Sequence, residues 1–202
     1  MTASPAALLI LIVTIVVSLI GINQPRIIEK AMLRPYTLFR KREYEKLITS
    51  GFVHADMWHL FFNCFTFYFF AFPLERAIGT VSFVALYFIG MVVSDIGTVL
   101  KHRNDPQYAS LGASGAILAV LFAGIVYFPT ASMIMFPIPI PIPAPLFAIL
   151  YLGYTWWQSR QNAGRINHDA HFTGALFGLA FVGLTDPRAF RRFIEVTASL
   201  FS

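Results

Sequence analysis

Four polar residues lie in strongly apolar surroundings, and their side chains are those of a serine nucleophile and its helpers. Ser114 lies in the short sequence GASG, and His171 lies in AHFTG. His59 and Asn63 belong to an earlier apolar stretch, MWHLFFN. A serine activated by a histidine base is a common route to covalent catalysis, and polar groups inside membrane segments usually serve a function. The set therefore indicates a nucleophile that works within a membrane.

Ser114 directly precedes the apolar stretch GAILAVLFAGIVYF, so we expect it at the N-terminus of a helix. There, free backbone N–H groups and the positive end of the helix dipole favour an oxyanion. The flanking Gly112 and Gly115 let the backbone turn tightly and let a substrate approach. The GxSG pattern alone is a weak signal, because a serine at this position can also be a plain helix N-cap.

His59 and Asn63 are four residues apart, so on a helix they share one face. Two hydrogen-bond donors placed one above the other can point at a single oxygen atom. The alternative is that both side chains bridge neighbouring helices, which Asn and His often do in membranes.

His171 lies on the same helical face as Gly174 and Gly178, three residues before the first of them. Two glycines four residues apart make a smooth face on which another helix can pack closely. An imidazole at such a contact, brought against Ser114, would be a general base in a dyad that needs no third residue. A buried, hydrogen-bonded histidine without catalytic function is the alternative.

The elements that position these residues are expected to be membrane helices. Apolar residues make up 57% of the 202 residues and charged residues only 12%, where a soluble domain has roughly 25% charged residues. The net charge of +5 comes mainly from loops and indicates contact with lipid headgroups. No basic helix with interleaved aromatics is visible, so nucleic acid is not an expected partner. The single cysteine, Cys64, excludes an internal disulfide.

Six apolar segments predict six membrane spans in one domain covering residues 1–202. A cleaved signal peptide is the alternative for the first segment, but no Lys or Arg precedes its apolar run. Residues 26–50 are charged and aromatic, which is typical of amphipathic pieces at the interface. The alternating prolines of residues 136–145 predict a polyproline-like hairpin, since proline forbids a continuous helix. The predicted spans are about 6–22, 58–73, 80–100, 113–129, 146–158 and 168–185.

Taken together, the motifs resemble those of the rhomboid intramembrane serine proteases. HxxxxHxxxN in an early span, GxSG at the start of a middle span and AHxxG in the last span occur here in the family's order. The match covers residues from about 40 to 185, including Glu75 and Gly79, which match a structural turn of the family. The resemblance implies an all-α membrane protein, a rhomboid-like bundle of six transmembrane helices around a water-filled cavity.

The same resemblance implies roles for individual residues. Ser114 would be the nucleophile and His171 the base, while His59, Asn63 and the Ser114 backbone N–H would form the oxyanion hole. His54 would lie near the cavity mouth. Many members place an aromatic residue four positions after the serine, where it stacks on the catalytic histidine, and this chain has Leu118 there. The motif glycines are Gly112, Gly115, Gly174 and Gly178.

The resemblance also implies the substrates, which would be single-span membrane proteins entering from the lipid bilayer, and it implies no cofactor. We expect a multi-pass protein of the bacterial inner membrane with its N-terminus inside. This topology places the basic loop of residues 26–50 outside, against the positive-inside tendency. We keep this topology because a long interfacial loop can hold basic residues beside anionic headgroups on either side of the membrane.

Two other functions remain open at this point. A non-catalytic rhomboid-like protein could bind other membrane proteins, although it would typically lack the serine or a histidine that this chain retains. A metal-dependent enzyme or transporter could use His54, His59, His168 and His171. The chain has no HExxH pattern, and a metal site would leave GxSG unexplained, so no metal is expected.

Overall fold

The computed structural model describes residues 3–135, 138–161 and 166–199. In these ranges the chain is mainly helical and contains one two-stranded ribbon. The elements before the nucleophile motif are α1 (Pro5–Asn23), α2 (Pro25–Ala31), α3 (Pro35–Leu38), α4 (Lys46–Thr49), a 3-10 turn (Ser50–Phe52), α5 (Met57–Ile78) and α6 (Thr80–His102). Those that follow are α7 (Ser114–Tyr127), β1 (Ser132–Met135), β2 (Ile138–Pro143), α8 (Ala144–Gln161), α9 (His168–Thr185) and α10 (Pro187–Ser199).

A helix occupies each of the six predicted span positions, and the bundle confirms the predicted fold class. The second span was predicted to end near Pro73, but α5 continues through this proline to Ile78. Within the described residues, α1, α5 and α6 are long and apolar enough to cross a membrane by length and composition. Helix α7 is apolar but has only 14 residues. The number of six crossings stays a prediction.

The proline-rich segment differs from the prediction of a polyproline-like hairpin. Strands β1 and β2 pair antiparallel, with Met133 opposite Ile142 and Ile134 opposite Pro141. Successive residues of a strand direct their N–H groups to opposite edges, so alternating prolines lack donors on one edge only. The intervening isoleucines retain the N–H groups that a pairing edge requires. Residues 136–137 of this segment lie outside the described residues.

Glu75 attaches helix α1 to the end of α5. Its buried carboxylate accepts hydrogen bonds from the backbone N–H groups of Ala6 at 3.1 Å and Ala7 at 2.7 Å. It also accepts one from the Thr80 hydroxyl at 2.8 Å. The first N–H groups of a helix have no partner within the helix, and a carboxylate suits the positive end of its dipole. Glu75 therefore joins α1, α5 and α6 at the face opposite to Ser114.

Small residues allow α6, α7 and α9 to pack with their backbones in close contact. A side-chain carbon on Gly174 would overlap the carbonyl of Gly115, and one on Gly178 would overlap the carbonyl of Ala119. From α6, a side-chain carbon on Gly90 would lie 2.8 Å from the Ala119 methyl group. Helix α7 is thus the buried centre of the bundle, and its position is fixed by α6 and α9.

Helix α10 is an amphipathic helix that the sequence analysis did not predict. Phe190 and Phe193 pack against the core, whereas its arginines are exposed. Asp186 precedes the helix and accepts hydrogen bonds from the Ala189 N–H and the Tyr127 hydroxyl, each at 3.1 Å. These two bonds lower the pKa of Asp186. The helix thereby covers the end of α7 that lies away from Ser114.

We predict that Gly178→Ala destabilises the bundle, because the added methyl group would overlap the Ala119 backbone and force α7 away from α9. Overpacking of this kind typically costs about 1–3 kcal/mol of unfolding free energy. Gly153→Ala in α8 is the matched control, since nothing lies within 4 Å of the added carbon. It should be neutral or stabilising, because alanine favours a helix over glycine. Thermal unfolding in detergent measures both, and equal midpoints for the two variants would contradict the packing argument.

Candidate active site

Ser114, the candidate nucleophile, lies at the point where a tight turn, here called the nucleophile turn, becomes helix α7. Gly112 adopts a φ of +107°, a conformation that side chains disfavour, and its N–H donates to the Ser50 carbonyl at 2.9 Å. A side-chain carbon at Gly112 would lie 2.6 Å from Cε1 of His59. Ser114 is the first residue of α7, as predicted, so its backbone N–H belongs to the unpaired first turn. The turn therefore needs a glycine for its backbone conformation and for its contact with His59.

The structure brings His171 against Ser114, with its Nε2 atom 2.8 Å from the serine Oγ. Helices α7 and α9 touch at Gly115 and Gly174. Ser114 comes one position before the first of these glycines, and His171 comes three positions before the second. The close contact between the Gly115 backbone and Gly174 therefore sets the separation of serine and imidazole. This geometry suits removal of the hydroxyl proton by the imidazole.

Asn167 fixes the start of α9 and was missed by the sequence analysis. Its side-chain oxygen caps the helix by accepting from the Ala170 N–H at 3.1 Å and also accepts from the Thr98 hydroxyl at 2.9 Å. Its amide group donates to the Ser110 hydroxyl at 3.1 Å. One side chain thus connects the histidine helix to α6 and to the loop before Ser114. An asparagine before a helix is a recognisable N-cap, but its two other partners are not visible in sequence.

Tyr151 is a second residue that the sequence analysis missed. Its hydroxyl lies 3.2 Å from Nδ1 of His171, on the opposite edge of the ring from Ser114. A tyrosine in an apolar helix predicts some hydrogen-bond partner for its hydroxyl, yet α8 also carries Tyr154, and the sequence does not distinguish them.

His59 and Asn63 lie on one face of α5, as predicted, and line the same cavity as Ser114 and His171. The cavity has a volume of about 1190 Å³ and is bounded by parts of α5, α6, α7, α8 and α9. The side-chain amide of Asn63 donates to the His59 carbonyl at 2.9 Å, which orients it on the helix. An amide nitrogen carries two protons, so a second donor remains.

His54 does not lie at the cavity mouth, and this prediction was wrong. The residue is fully buried, with 0% exposure, behind the turn that precedes Ser114. Its Nδ1 atom is 2.8 Å from the Ser18 hydroxyl, and its Nε2 atom is 3.5 Å from the Ala113 nitrogen. Burial lowers the pKa of His54 to about 3, with a further contribution from His59. The neutral ring connects helix α1 to the nucleophile turn.

The four histidines of the metal interpretation do not converge on one point. His54 faces Ser18, while the ring of His168 packs edge-on against Tyr154 at 5.7 Å between centroids. Among the residues that the structure describes, no group of three or more His, Cys, Asp or Glu side chains is arranged to hold a metal ion. The donor set therefore gives the metal interpretation no support.

Comparison with known proteins identifies a domain that covers most of the chain. A rhomboid domain matches residues 41–187. The chain is 29% identical over 148 residues to presenilin-associated rhomboid-like protein A, mitochondrial, of Danio rerio, covering 68% of this chain and 36% of the relative. The Homo sapiens presenilin-associated rhomboid-like protein, mitochondrial, is 30% identical over 149 residues, with coverages of 67% and 36%. A candidate rhomboid protease of Bacillus subtilis, YdcA, is 37% identical over 78 residues, with coverages of 39% and 38%. The chain thus spans little more than a third of the length of these curated relatives.

We predict that Gly112→Ala slows the reaction of Ser114 with a serine-directed fluorophosphonate. The added methyl group would displace the His59 ring, and losing one donor to a developing oxyanion costs on the order of 10² in rate. Gly124→Ala, within α7, is the control, because its added carbon would lie at an ordinary 3.6 Å from Phe70. Labelling rates in detergent compare the two variants. Labelling of Gly112→Ala at the wild-type rate would contradict the role of this contact.

Proposed function

We propose that this chain, which belongs to the rhomboid family, is an intramembrane serine endopeptidase that cleaves single-span membrane proteins. The observation that carries the proposal is the 2.8 Å contact between Nε2 of His171 and Oγ of Ser114 at the edge of a cavity within the helical bundle. A hydroxyl and an imidazole in this relation form the reactive pair of acyl-transfer enzymes.

The reaction begins when Ser114 Oγ attacks the carbonyl carbon of a substrate peptide bond and transfers its proton to Nε2 of His171. The resulting imidazolium then gives this proton to the departing amine, and the acyl group stays on the serine. A water molecule, deprotonated by the same nitrogen, then attacks the acyl-enzyme. The acyl–Oγ bond breaks, the imidazolium returns the proton to Ser114 Oγ, and the acid product leaves. No redox step or cofactor is required.

The oxyanion of the tetrahedral intermediate would be stabilised from two directions. The Ser114 N–H lies in the unpaired first turn of α7, at the positive end of its dipole. The His59 ring and the second amide proton of Asn63 approach from α5, on the other side of the cavity. Donors fixed in place before the reaction stabilise developing charge at little reorganisation cost.

The cavity supports a membrane protein as substrate. It is large enough for an extended segment and is lined by both polar residues and apolar ones such as Trp58 and Phe62. A transmembrane helix must expose its peptide bonds before cleavage, and water in the cavity can compensate backbone groups that lose their helical hydrogen bonds. We therefore propose that the segment to be cleaved enters from the bilayer and unwinds at the cavity.

The chain is an integral membrane protein. Two of the three relatives are named as mitochondrial and the third is from Bacillus subtilis, so the expected bacterial inner membrane is not supported. The cavity lies at the same face as the loop between α1 and α5. In the proposed topology, this face is the outer one.

A non-catalytic binding protein is the second candidate, because two of the relatives are named rhomboid-like, a name that states no activity. The paired serine and histidine favour catalysis, since a binding protein has no need for them at 2.8 Å. Covalent labelling of the wild-type protein by a fluorophosphonate separates the two candidates.

We predict that Ser114→Ala and His171→Ala each abolish cleavage of a single-span model substrate in liposomes. The double variant should be no slower than either single variant, because the two residues act as one unit. His168→Ala is the control, since it removes a neighbouring histidine that does not contact Ser114. Gel-based cleavage assays measure all four. Cleavage by folded Ser114→Ala above background, or loss of activity in His168→Ala alone, would refute the dyad.

We predict that Asn63→Ala is slow but active, with cleavage reduced on the order of 10² to 10³, because it removes one of several oxyanion donors. His59→Ala should be at least as slow, since it also removes a bulky group that packs against Gly112. Covalent labelling of Ser114 should still occur in Asn63→Ala because the serine and histidine are unchanged, but more slowly than in wild type, since one oxyanion donor is lost. If both variants cleaved at the wild-type rate, the two side chains would serve only helix packing.

A further inference from the structure

The proposed base has a hydrogen-bond partner on each edge of its ring. Nε2 of His171 lies 2.8 Å from Ser114 Oγ, and Nδ1 lies 3.2 Å from the hydroxyl of Tyr151. The two contacts come from different helices, α7 and α8. The imidazole is therefore held between the nucleophile and a phenol.

The direction of these two bonds decides whether His171 can act as a base. Ser114 can transfer its proton to Nε2 only when that nitrogen carries a lone pair, and in a neutral imidazole the proton is then on Nδ1. An Nδ1–H group away from bulk water requires an acceptor. The Tyr151 oxygen occupies the position of that acceptor. If the tyrosine instead donated to Nδ1, the proton would lie on Nε2 and the serine could not be deprotonated.

Acidic side chains do not occupy this position among the described residues. Asp169, two positions before His171, forms an ion pair with Lys101 at 2.9 Å. The ring of His168 lies 5.9 Å from that of His171 between centroids. The contact that the described residues offer to Nδ1 is therefore the phenol oxygen, a neutral acceptor that adds no charge to the membrane interior.

The phenol ring itself is held by packing within α8 and against α7. It stacks on Phe147 at 5.5 Å and lies 5.8 Å from Phe122, between ring centroids. Tyr151 also packs against the cluster that contains Leu118. A ring confined on several sides presents its hydroxyl in one direction, which is the property required of a residue that orients another.

We propose that Tyr151 is a positioning residue for His171: its phenol oxygen accepts the Nδ1–H and maintains the tautomer whose Nε2 faces Ser114. The inference rests on the proposed function, because it assigns the third residue of the same reactive site. It also places this residue on α8, a helix that contributes neither the nucleophile nor the base.

The test is Tyr151→Phe, which removes the hydroxyl and retains the ring that packs on Phe147. We expect kcat for a single-span model substrate in liposomes to fall about tenfold with KM unchanged, which corresponds to loss of one neutral hydrogen bond. The rate of fluorophosphonate labelling should fall by the same factor. A purely structural role would leave Tyr151→Phe at the wild-type rate and would affect only Tyr151→Ala.

Tyr154→Phe is the matched control on the same helix. Its hydroxyl accepts from the Gln158 amide at 3.1 Å, on a half-exposed side chain. This variant should keep the wild-type kcat and labelling rate. Equal rates for Tyr151→Phe and wild type, or a change confined to KM, would overturn the inference. So would an equal loss in both phenylalanine variants.

A second measurement separates this inference from the proposed function. Nitrogen-15 NMR of labelled histidine in lipid discs, assigned with the His171→Ala variant, reports which ring nitrogen of His171 is protonated. We expect the Nδ1–H tautomer in wild type and a mixture in Tyr151→Phe. A wild-type Nε2–H tautomer, or identical spectra for the two proteins, would overturn the inference. Failure of wild-type protein to label or cleave would instead refute the proposed function, and the spectra would still decide the tautomer.

Discussion

The close contact between α7 and α9 is the constraint on which the site depends. The backbones touch at Gly115 against Gly174 and again at Ala119 against Gly178, one helical turn further. In a bilayer the lipid is as apolar as the helix surfaces, so close packing of small residues replaces the hydrophobic effect as the source of helix association. Ser114 and His171 lie at the end of this seam. Their 2.8 Å separation therefore follows from backbone packing and does not require the two side chains to attract each other.

The nucleophile turn is fixed by contacts that come from distant parts of the chain. Gly112 donates to Ser50, and Ser110 pairs its backbone with Leu33 at 2.9 Å in both directions. Buried His54 contacts Ala113 of the same turn through one ring nitrogen and Ser18 of α1 through the other. A short loop with so many external hydrogen bonds has little freedom to move, which suits the proposed use of the Ser114 backbone N–H as an oxyanion donor. The first loop and α1 therefore stabilise the geometry around Ser114 although they contribute no residue to the proposed dyad.

Most polar side chains inside the bundle have hydrogen-bond partners, and several of these bonds join one helix to another. Glu75 is satisfied by the start of α1 on one face, and Asn167 is satisfied by α6 and α9 on the other. Burying an unpaired polar group costs several kcal/mol in hydrocarbon, about as much as a domain can lose without unfolding. Asn63 retains a free donor and faces the cavity, where a substrate or water can complete its hydrogen bonds.

The sequence determined the class of molecule, the positions of its long helices and the serine and histidine proposed as the reactive pair. Low charge and long apolar segments are properties of composition, and the pairing of GxSG with AHxxG names a serine and a histidine by type and order. The sequence predicted helix boundaries less accurately. Proline often ends a helix, so the second span was predicted to end near Pro73, but α5 continues through it to Ile78. Amphipathic α10 was missed for the same reason: Asp186 and Pro187 read as the end of a span.

Only the tertiary structure decided how residues far apart in the chain meet. His54 belongs to the sequence motif of His59, yet it lies buried behind the nucleophile turn, because Ser18 of α1 packs there. The sequence does not reveal the distant contacts of Tyr151 and Asn167, since His171 lies 20 positions from the tyrosine and Thr98 lies 69 positions from the asparagine. Periodicity and motifs report which face of a helix a residue occupies. The neighbour on that face is fixed by the packing of whole helices, which local sequence does not encode.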